Sequence, residues 1–560
     1  MWAKPEAGEA GFVNPGTIEV LSASPLAKAV QQEADGTLAP TGAETLLAKD
    51  ESSAIELELT WTGGIDIEFD PDDPGGGGDP NGDPALRSIL FRDDVAVRSK
   101  DGTIDCGSLQ MQFTRGDNGR SEPERMVALE NVRARNDDQT LWTDQLIVTM
   151  DAVADEAPVA GDDLFGGRVD VKDFLATGDV QVLLADGGRA FADRLEGDAR
   201  QETAILTGGN VTVARKEMLI DHGRRLVISR MEGTATWEGP GQARMLRYPL
   251  DVSADKRVER PTVPIKPPAG AEHQAKADEA GSPVTMRARW NDEMVYDSRF
   301  NEGAGAIELK GKVAVVAEPS PIERSTMDGD SLSLQFAFPP AVATSTSATA
   351  PSPDRNDPLA LDGLEGSSRV LEKLIAKGDA RLEHREWLDA DKNDLPRVFY
   401  IAAKHITWDD LRVRAEVIGN GDMVIREPQR DGDDPTPEGP FAGAGTSRFV
   451  WTKRLDMVRQ PSSRFEISMV GDVEGLYRGA TDEDIASVTA QKIEAITQRS
   501  RPSASLDDGD DVGPLDFQGD MEIEKLRAEG TVYLATRQRR ADAHVVDYDT
   551  RTQIATLSAR

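Results

Sequence analysis

Apolar and polar residues alternate most clearly between Phe174 and Trp237. Val180, Val182 and Leu184 share one parity, with Gln181 and Leu183 on the other; Val211 and Val213 flank Thr212, and Leu226 and Ile228 flank Val227. A period of two marks strands with one buried face. Between these runs lie Asp186-Gly187-Gly188, Glu196-Gly197-Asp198, Gly208-Gly209-Asn210 and Asp221-His222-Gly223. Each offers Gly, Asn or Asp, the residues that tolerate the left-handed backbone of a hairpin reversal. The stretch predicts about six short antiparallel strands joined by tight turns.

The same pattern recurs along the chain. Residues 1–50 are rich in Ala, Gly, Pro and Glu and read as a loosely ordered lead-in. A β-roll is expected over 51–251, opened by the alternating pair Ile55–Leu59 and Ile65–Phe69. The Gly-rich run at 70–84 lacks the spaced Glu of a calcium loop and reads as a linker. A linker at 252–283 precedes a β block at 284–338, and a low-complexity linker at 339–367 follows. Further β blocks are expected at 368–427 and 445–498, a linker at 499–519, and the start of another repeat at 520–560. Short helices are the expectation for Ser367–Lys377 and Thr481–Thr497.

The blocks resemble one another. Ala176, Gly178, Val180 and Val182 match Ala528, Gly530, Val532 and Leu534, and Ala190, Ala192, Asp198, Ala204 and Leu206 match Ala541, Ala543, Asp549, Ala555 and Leu557. A shorter signature, Gly followed by a polar residue and a strand, recurs at Gly311-Lys312, Gly378-Asp379 and Gly471-Asp472. It reads as a turn that pins register. Degenerate repeats of this kind imply stacked strand pairs.

Composition narrows the class. Gly and Pro are abundant (51 and 32 of 560), aromatics make up 5%, and mean hydropathy is −0.46, which favours an extended all-β chain with a narrow core. The formal charge of −36 disfavours nucleic-acid binding, because phosphate-neutralising residues are outnumbered. Cys106 is the only cysteine, so no intramolecular disulfide forms, and it reads as a small strand residue. No run of 18 apolar residues occurs, and the first residues lack the basic head and apolar middle of an export signal. The last residues, TQIATLSAR, stop in mid-pattern, as a truncated product would.

In order, Ala176–Val182, Ala192–Asp198, Leu206–Val213 and Met218–Gly223 spell A-x-G-D-V-x-V, A-D-x-L-x-x-D, L-T-G-x-N-V-x-V and M-L-I-D-x-G. This series resembles the organic-solvent-tolerance (OstA-like) and lipopolysaccharide-transport A and C families. The likeness is best over about 170–240 and fair over 520–560. It implies a β-jellyroll folded like a taco, whose apolar groove holds acyl chains and whose units stack edge to edge into a bridge across the periplasm. Acyl burial at about 0.8 kcal/mol per CH₂ needs no catalytic residue.

Catalytic signals are sparse. His222, His273, His384, His405 and His544 form no H-x-x-x-H, and there is no G-x-S-x-G, C-x-x-C or P-loop. With 100 carboxylates, an acid/base pair cannot be dismissed by counting. Trp61, Trp142, Trp237, Trp290, Trp387, Trp408 and Trp451 fall about one per block and read as packing residues.

The expectation is therefore an all-β chain of repeated antiparallel β-roll (β-taco jellyroll) blocks separated by disordered linkers. It is non-enzymatic, without cofactor or metal, and periplasmic or outer-membrane-associated. Its partners are lipopolysaccharide or a similar envelope lipid, other β-roll transport proteins, and no nucleic acid. Parity places Val180, Val182, Leu184, Leu206, Val211, Val213, Leu226 and Ile228 in the lipid groove. The alternatives are a structural β-roll with a filled core and end-to-end association, and a carboxylate-based polysaccharide enzyme.

Overall fold

The computed structural model describes residues 2–4, 9–21, 55–70, 85–99, 102–116, 121–136, 139–152, 169–184, 187–215, 218–247, 284–338, 370–388, 390–410, 412–428, 444–460, 464–479, 485–499, 521–550, 552 and 554–559. The chain divides into two compact units. One contains Met1–Lys216 and His222–Ala235, the other Glu217–Asp221, Thr236–Thr346 and Leu361–Arg560. The first holds β1 (Trp2–Lys4), β2 (Glu9–Phe12), β3 (Gly16–Leu21), β4 (Ile55–Trp61), β5 (Ile65–Phe69), β6 (Leu86–Ser99), β7 (Gly102–Arg115), β8 (Ser121–Arg135), β9 (Gln139–Ala152), β10 (Val169–Leu184), β11 (Arg189–Asp198) and β12 (Thr203–Arg215). Residues of β13 (Met218–Ser229) and β14 (Thr234–Glu238) fall in both.

The second unit continues with β15 (Gly241–Arg247), β16 (Val284–Trp290), β17 (Glu293–Asp297), β18 (Ala306–Ser320), β19 (Glu323–Ala337), β20 (Val370–Glu386), β21 (Arg397–Asp409) and β22 (Arg414–Glu427). It ends with β23 (Gly445–Trp451), β24 (Arg454–Arg459), β25 (Arg464–Gly479), β26 (Ile485–Arg499), β27 (Met521–Thr536), β28 (Arg540–Asp549) and β29 (Ile554–Ser558). Strands pair antiparallel with their neighbours along the chain. The all-β expectation holds: strands take 83% of the described residues and helix 1%, so no helical layer covers the sheets.

The strands are long, and most bend once. In β10, Thr177 faces Arg194 and Val180 faces Ala192, so Gly178 and Asp179 together stand opposite Asp193 alone. Both take a left-handed backbone, with φ of 85° and 43°. Two residues against one is a β-bulge, which turns a strand sharply. The doublets Gly311-Lys312, Gly378-Asp379 and Gly471-Asp472 repeat it, and Asp93-Asp94 and Glu130-Asn131 do so without glycine. An added Cβ on Gly178 would overlap the Asp144 side chain, so glycine is required there for space as well as for φ.

Bending folds β20 over itself. Leu374 and Leu382, eight residues apart in β20, would be about 26 Å apart in a straight strand. Yet they line one small void of about 20 Å³ with Phe399, Ile401, Ile406 and Trp408. The halves on either side of the corner therefore cover each other, and the inner face of one is packed by the inner face of the other.

Beside the corner runs an unbroken register row of apolar residues. In the first unit it passes through Ile65, Phe91, Leu109, Ala128, Leu146, Ala176, Leu195 and Leu206, each at most 7% exposed. In the second it runs from Met294 through Leu309, Leu332, Ala376, Ile406, Val417, Leu455, Met469, Ile493 and Ala528 to Val546. Each Leu or Ile so covered stabilises the fold by roughly 1.5–3 kcal/mol.

Several sequence-based expectations change. Only the Asp186–Gly188 reversal lies at a hairpin, where Leu184 N–H donates to Gly188 O at 2.9 Å. Glu196-Gly197-Asp198 ends β11, Gly208-Gly209-Asn210 lies inside β12, and Asp221-His222-Gly223 lies inside β13. Hence β10 to β13 are 16, 10, 13 and 12 residues long, where short strands were expected. Of the two stretches expected to be helical, Ser367–Lys377 and Thr481–Thr497, the described residues 370–377 and 485–497 belong to strands β20 and β26, because their apolar residues fill alternate inner positions; the rest lies outside the described residues. The lead-in carries β1 to β3, while 22–54 lies outside the described residues. So do 71–84, 252–283, 339–367 and 500–519, nearly all of what the sequence marks as linker.

At three places the corner splits a strand after a tryptophan: Trp61, Trp290 and Trp451, with Ile65, Met294 and Leu455 resuming the row four residues on. Each indole faces a glycine on the neighbouring strand, Gly16, Gly241 and Gly421 respectively, where a Cβ would overlap the ring. Gly421→Ala should cost about 1–3 kcal/mol by overpacking. Trp451→Leu in the same chain should return part of that loss, because the two effects share one contact. Thermal melts of the two single variants and the double check this; strictly additive losses would show that the indole is not the obstruction.

Candidate functional site

The interior between the facing half-strands is where sequence parity puts the groove. All eight groove residues lie on inner faces of the first unit, with exposures of 0–7%: Val180 1%, Val182 7%, Leu184 6%, Leu206 0%, Val211 0%, Val213 5%, Leu226 2% and Ile228 7%. Val182, Ala190 and Val213 form one cross-strand row, and Val180 faces Ala192. Leu206 sits across the corner from Val211, in the row with Leu195. Leu226 and Ile228 lie near the end of β13, where the N–H of the following Arg230 donates to Glu202 O, just before β12, at 3.0 Å.

Burial is uneven along the unit. The row of Val182, Ala190 and Val213 continues across β9, β8 and β7 into Leu141, Ala134 and Ile104, and from there to Val97 of β6. Those last four are only half-buried. The interior is thus tightly closed over β10–β12 and looser over β6–β9.

Polar chemistry inside is limited. Ser325 Oγ and His384 Nδ1 are 2.9 Å apart, on directly opposed residues of β19 and β20, and both are buried. Sequence reasoning missed this pair because its members are 59 residues apart; the parity His384 shares with Leu382 was the available signal. Walled in by the opposing half-strands, it is reached by a substrate only if they part. His405 is elsewhere, opposite Lys377, with Nε2 2.9 Å from Thr407 Oγ1. Its pKa is lowered by burial first and by the charge of Lys377 second. His222 is exposed within β13, its N–H donating to Asn210 Oδ1 at 2.9 Å. Among the described residues no group of three or more His, Cys, Asp or Glu is placed to hold a metal ion.

Outer faces carry charge in cross-strand pairs, such as Arg92 with Asp66 at 2.6 Å, Arg414 with Asp456 at 2.9 Å and Arg448 with Asp422 at 2.7 Å. Arg397 is the most enclosed, taking both oxygens of Glu427 at 2.7 Å and Glu386 at 2.7 Å. Such exposed pairs contribute about 0–1 kcal/mol each and mainly fix strand register. Among the described residues no helix is long and apolar enough to cross a membrane.

No family model and no curated protein matches the chain.

Cys106 reports directly on the interior. Burial, with Asp105 adding to it, pushes its thiol from 9.0 up to about 12. A raised pKa favours the folded state below the unfolded value, so this contribution is complete below about pH 9 and fades as pH rises toward 12. Thiol reagents at pH 8 should label Cys106 only after denaturation; rapid labelling of the native chain would mean that β7 is not packed. Val182→Asp should abolish cooperative melting, since it buries an unpaired carboxylate. An unchanged melting temperature would place Val182 in water.

Proposed function

We propose that the chain is a non-enzymatic β-roll of the cell envelope that handles lipopolysaccharide or a similar lipid. In this reading acyl chains are taken up between the facing half-strands, in the periplasm or at the outer membrane. Neighbouring β-rolls stack along strand edges, where open ladder groups accept another strand. The observation that carries it is the apolar row crossing strand after strand, an interior continuous in the direction an acyl chain would travel. The resemblance of residues 170–240 to the lipopolysaccharide-transport families agrees with it.

One observation favours a second reading, a structural β-roll with a filled core. The void between the half-strands at β20–β22 is about 20 Å³, room for about one water and far too little for an acyl chain. Acyl chains enter there only by separating the two faces.

Lipids with brominated acyl chains discriminate the two. If acyl chains occupy the interior, bromine should quench the fluorescence of the buried Trp61, Trp290 and Trp451, and native mass spectra should show lipid adducts. Adduct-free spectra with unquenched tryptophan would rule out the lipid reading and leave the filled core.

A further inference from the structure

The outer face of the half-strands beyond the corner in the first unit departs from the charge pattern elsewhere. One register row runs across β7 to β12 through Asp105, Arg133, Trp142, Gln181, Phe191 and Thr212. Trp142 and Phe191 flank Gln181, two strand spacings or about 10 Å apart. Both rings are half-buried, on a face whose other side chains are mostly polar, with half-buried Leu183 among them. Sequence reading had placed Trp142 among the packing residues. The parity of Thr143, buried on the inner face, turns its indole outward.

Two more tracks border this row. On the hairpin side stand Arg135 and Arg189, each two residues from the aromatic row on its own strand. The Arg133 guanidinium lies over the Trp142 ring at 5.8 Å. In a chain with a net charge of −36, arginines normally find a carboxylate, as Arg98 does with Asp105 at 2.5 Å. Arg133, Arg135 and Arg189 have no ion-pair partner among the described residues and are exposed. On the corner side stand the exposed carboxylates Asp144, Asp179 and Asp193, again two residues from Trp142, Gln181 and Phe191.

We propose that this face binds an anionic polysaccharide laid across the strands. Sugar rings stack on Trp142 and Phe191, with Gln181 bonding the unit between them. Acidic substituents along one edge of the chain meet Arg135 and Arg189, with Arg133 beside Trp142 in the middle row; their planar donors suit carboxylate or phosphate oxygens. Hydroxyls along the other edge donate to Asp144, Asp179 and Asp193. The order of the tracks, cation, aromatic, carboxylate, selects a ligand with charge on one edge and hydroxyls on the other. A nucleic-acid strand, charged at every unit, suits it less, because the carboxylate track lies only about 7 Å from the aromatic one. The chain's overall negative charge is screened beyond about 10 Å at ordinary ionic strength, so the local arginines govern contact.

This site lies on the opposite surface from the proposed lipid interior and does not depend on it. The test uses the full chain with polygalacturonate as lipid-free probe, and neutral dextran, single-stranded DNA and intact lipopolysaccharide as comparators. Binding is followed by calorimetry at two salt concentrations, alongside melting curves. Polygalacturonate should bind and weaken with salt. Trp142→Ala should reduce that binding at least tenfold, as should the double variant R135A/R189A, with melting temperatures unchanged. If Trp142→Ala fails to fold, Phe191→Leu is read in its place. Equal binding of dextran, tighter binding of single-stranded DNA, or variants that bind as the parent does would each overturn the proposal. Binding of lipopolysaccharide alone, insensitive to Trp142→Ala, would overturn it too.

Discussion

A strand face buries its side chains only when something covers it, and here the cover is the same strand bent back. That requirement explains the doublets at the corners. Gly178-Asp179, Gly378-Asp379 and Gly471-Asp472 each place two left-handed residues against one on the adjoining strand, and the surplus residue turns the ribbon. Aligned from strand to strand, the corners bring the residues beside them into one buried row per unit. Without that alignment Leu109, Leu206, Leu332 and Ile493 would meet water, since no helical layer among the described residues shields them.

The corners also account for part of the acidity. Residues opposite a bulge meet backbone N–H groups that the interrupted ladder leaves without a strand partner. Asp193 accepts from Gly209 N–H at 2.7 Å, and Asn210 accepts from His222 N–H at 2.9 Å. Short side chains bearing oxygen acceptors serve there, so Asp recurs at 144, 193, 292 and 330 beside Gly178, Gly208, Gly311 and Gly378. The carboxylates line the convex edge because the bulges do.

Which face of each strand is buried was legible in the sequence. Val180, Val182, Val211 and Val213 recur at alternate positions, with Gln181 and Thr212 between them, and all four are covered. Where strands end was not. Gly-Asp with left-handed backbone serves a hairpin and a bulge equally well, so the residues alone do not distinguish reversal from bend. The spacing does. Inner residues flanking a corner are four apart on the bulged strand, as Ala176 and Val180 are, and three apart on its neighbour, as Ala192 and Leu195 are. A slip of one in alternate strands marks a corner, whereas a hairpin resets parity without that rule. Ser325 with His384, and Trp142 with Phe191, were invisible for a different reason: register creates those pairs, and register depends on every bulge between them.

The interior poses an exchange of partners. Parting the halves uncovers apolar area on both faces, and an acyl chain placed between them covers it again, so the hydrophobic terms nearly cancel. What then decides uptake is how much well-fitted packing is lost, because dispersion contacts fall off within a fraction of an ångström. Over β10–β12 that loss is large, since Ala190 and Leu206 are fully enclosed and Val213 nearly so. Over β6–β9 it is smaller, since Val97, Ile104, Ala134 and Leu141 are already half-exposed along the same row. On the lipid reading proposed above, acyl chains would enter at β6–β9. The tightly packed valines selected by parity would then be the closed end of that opening.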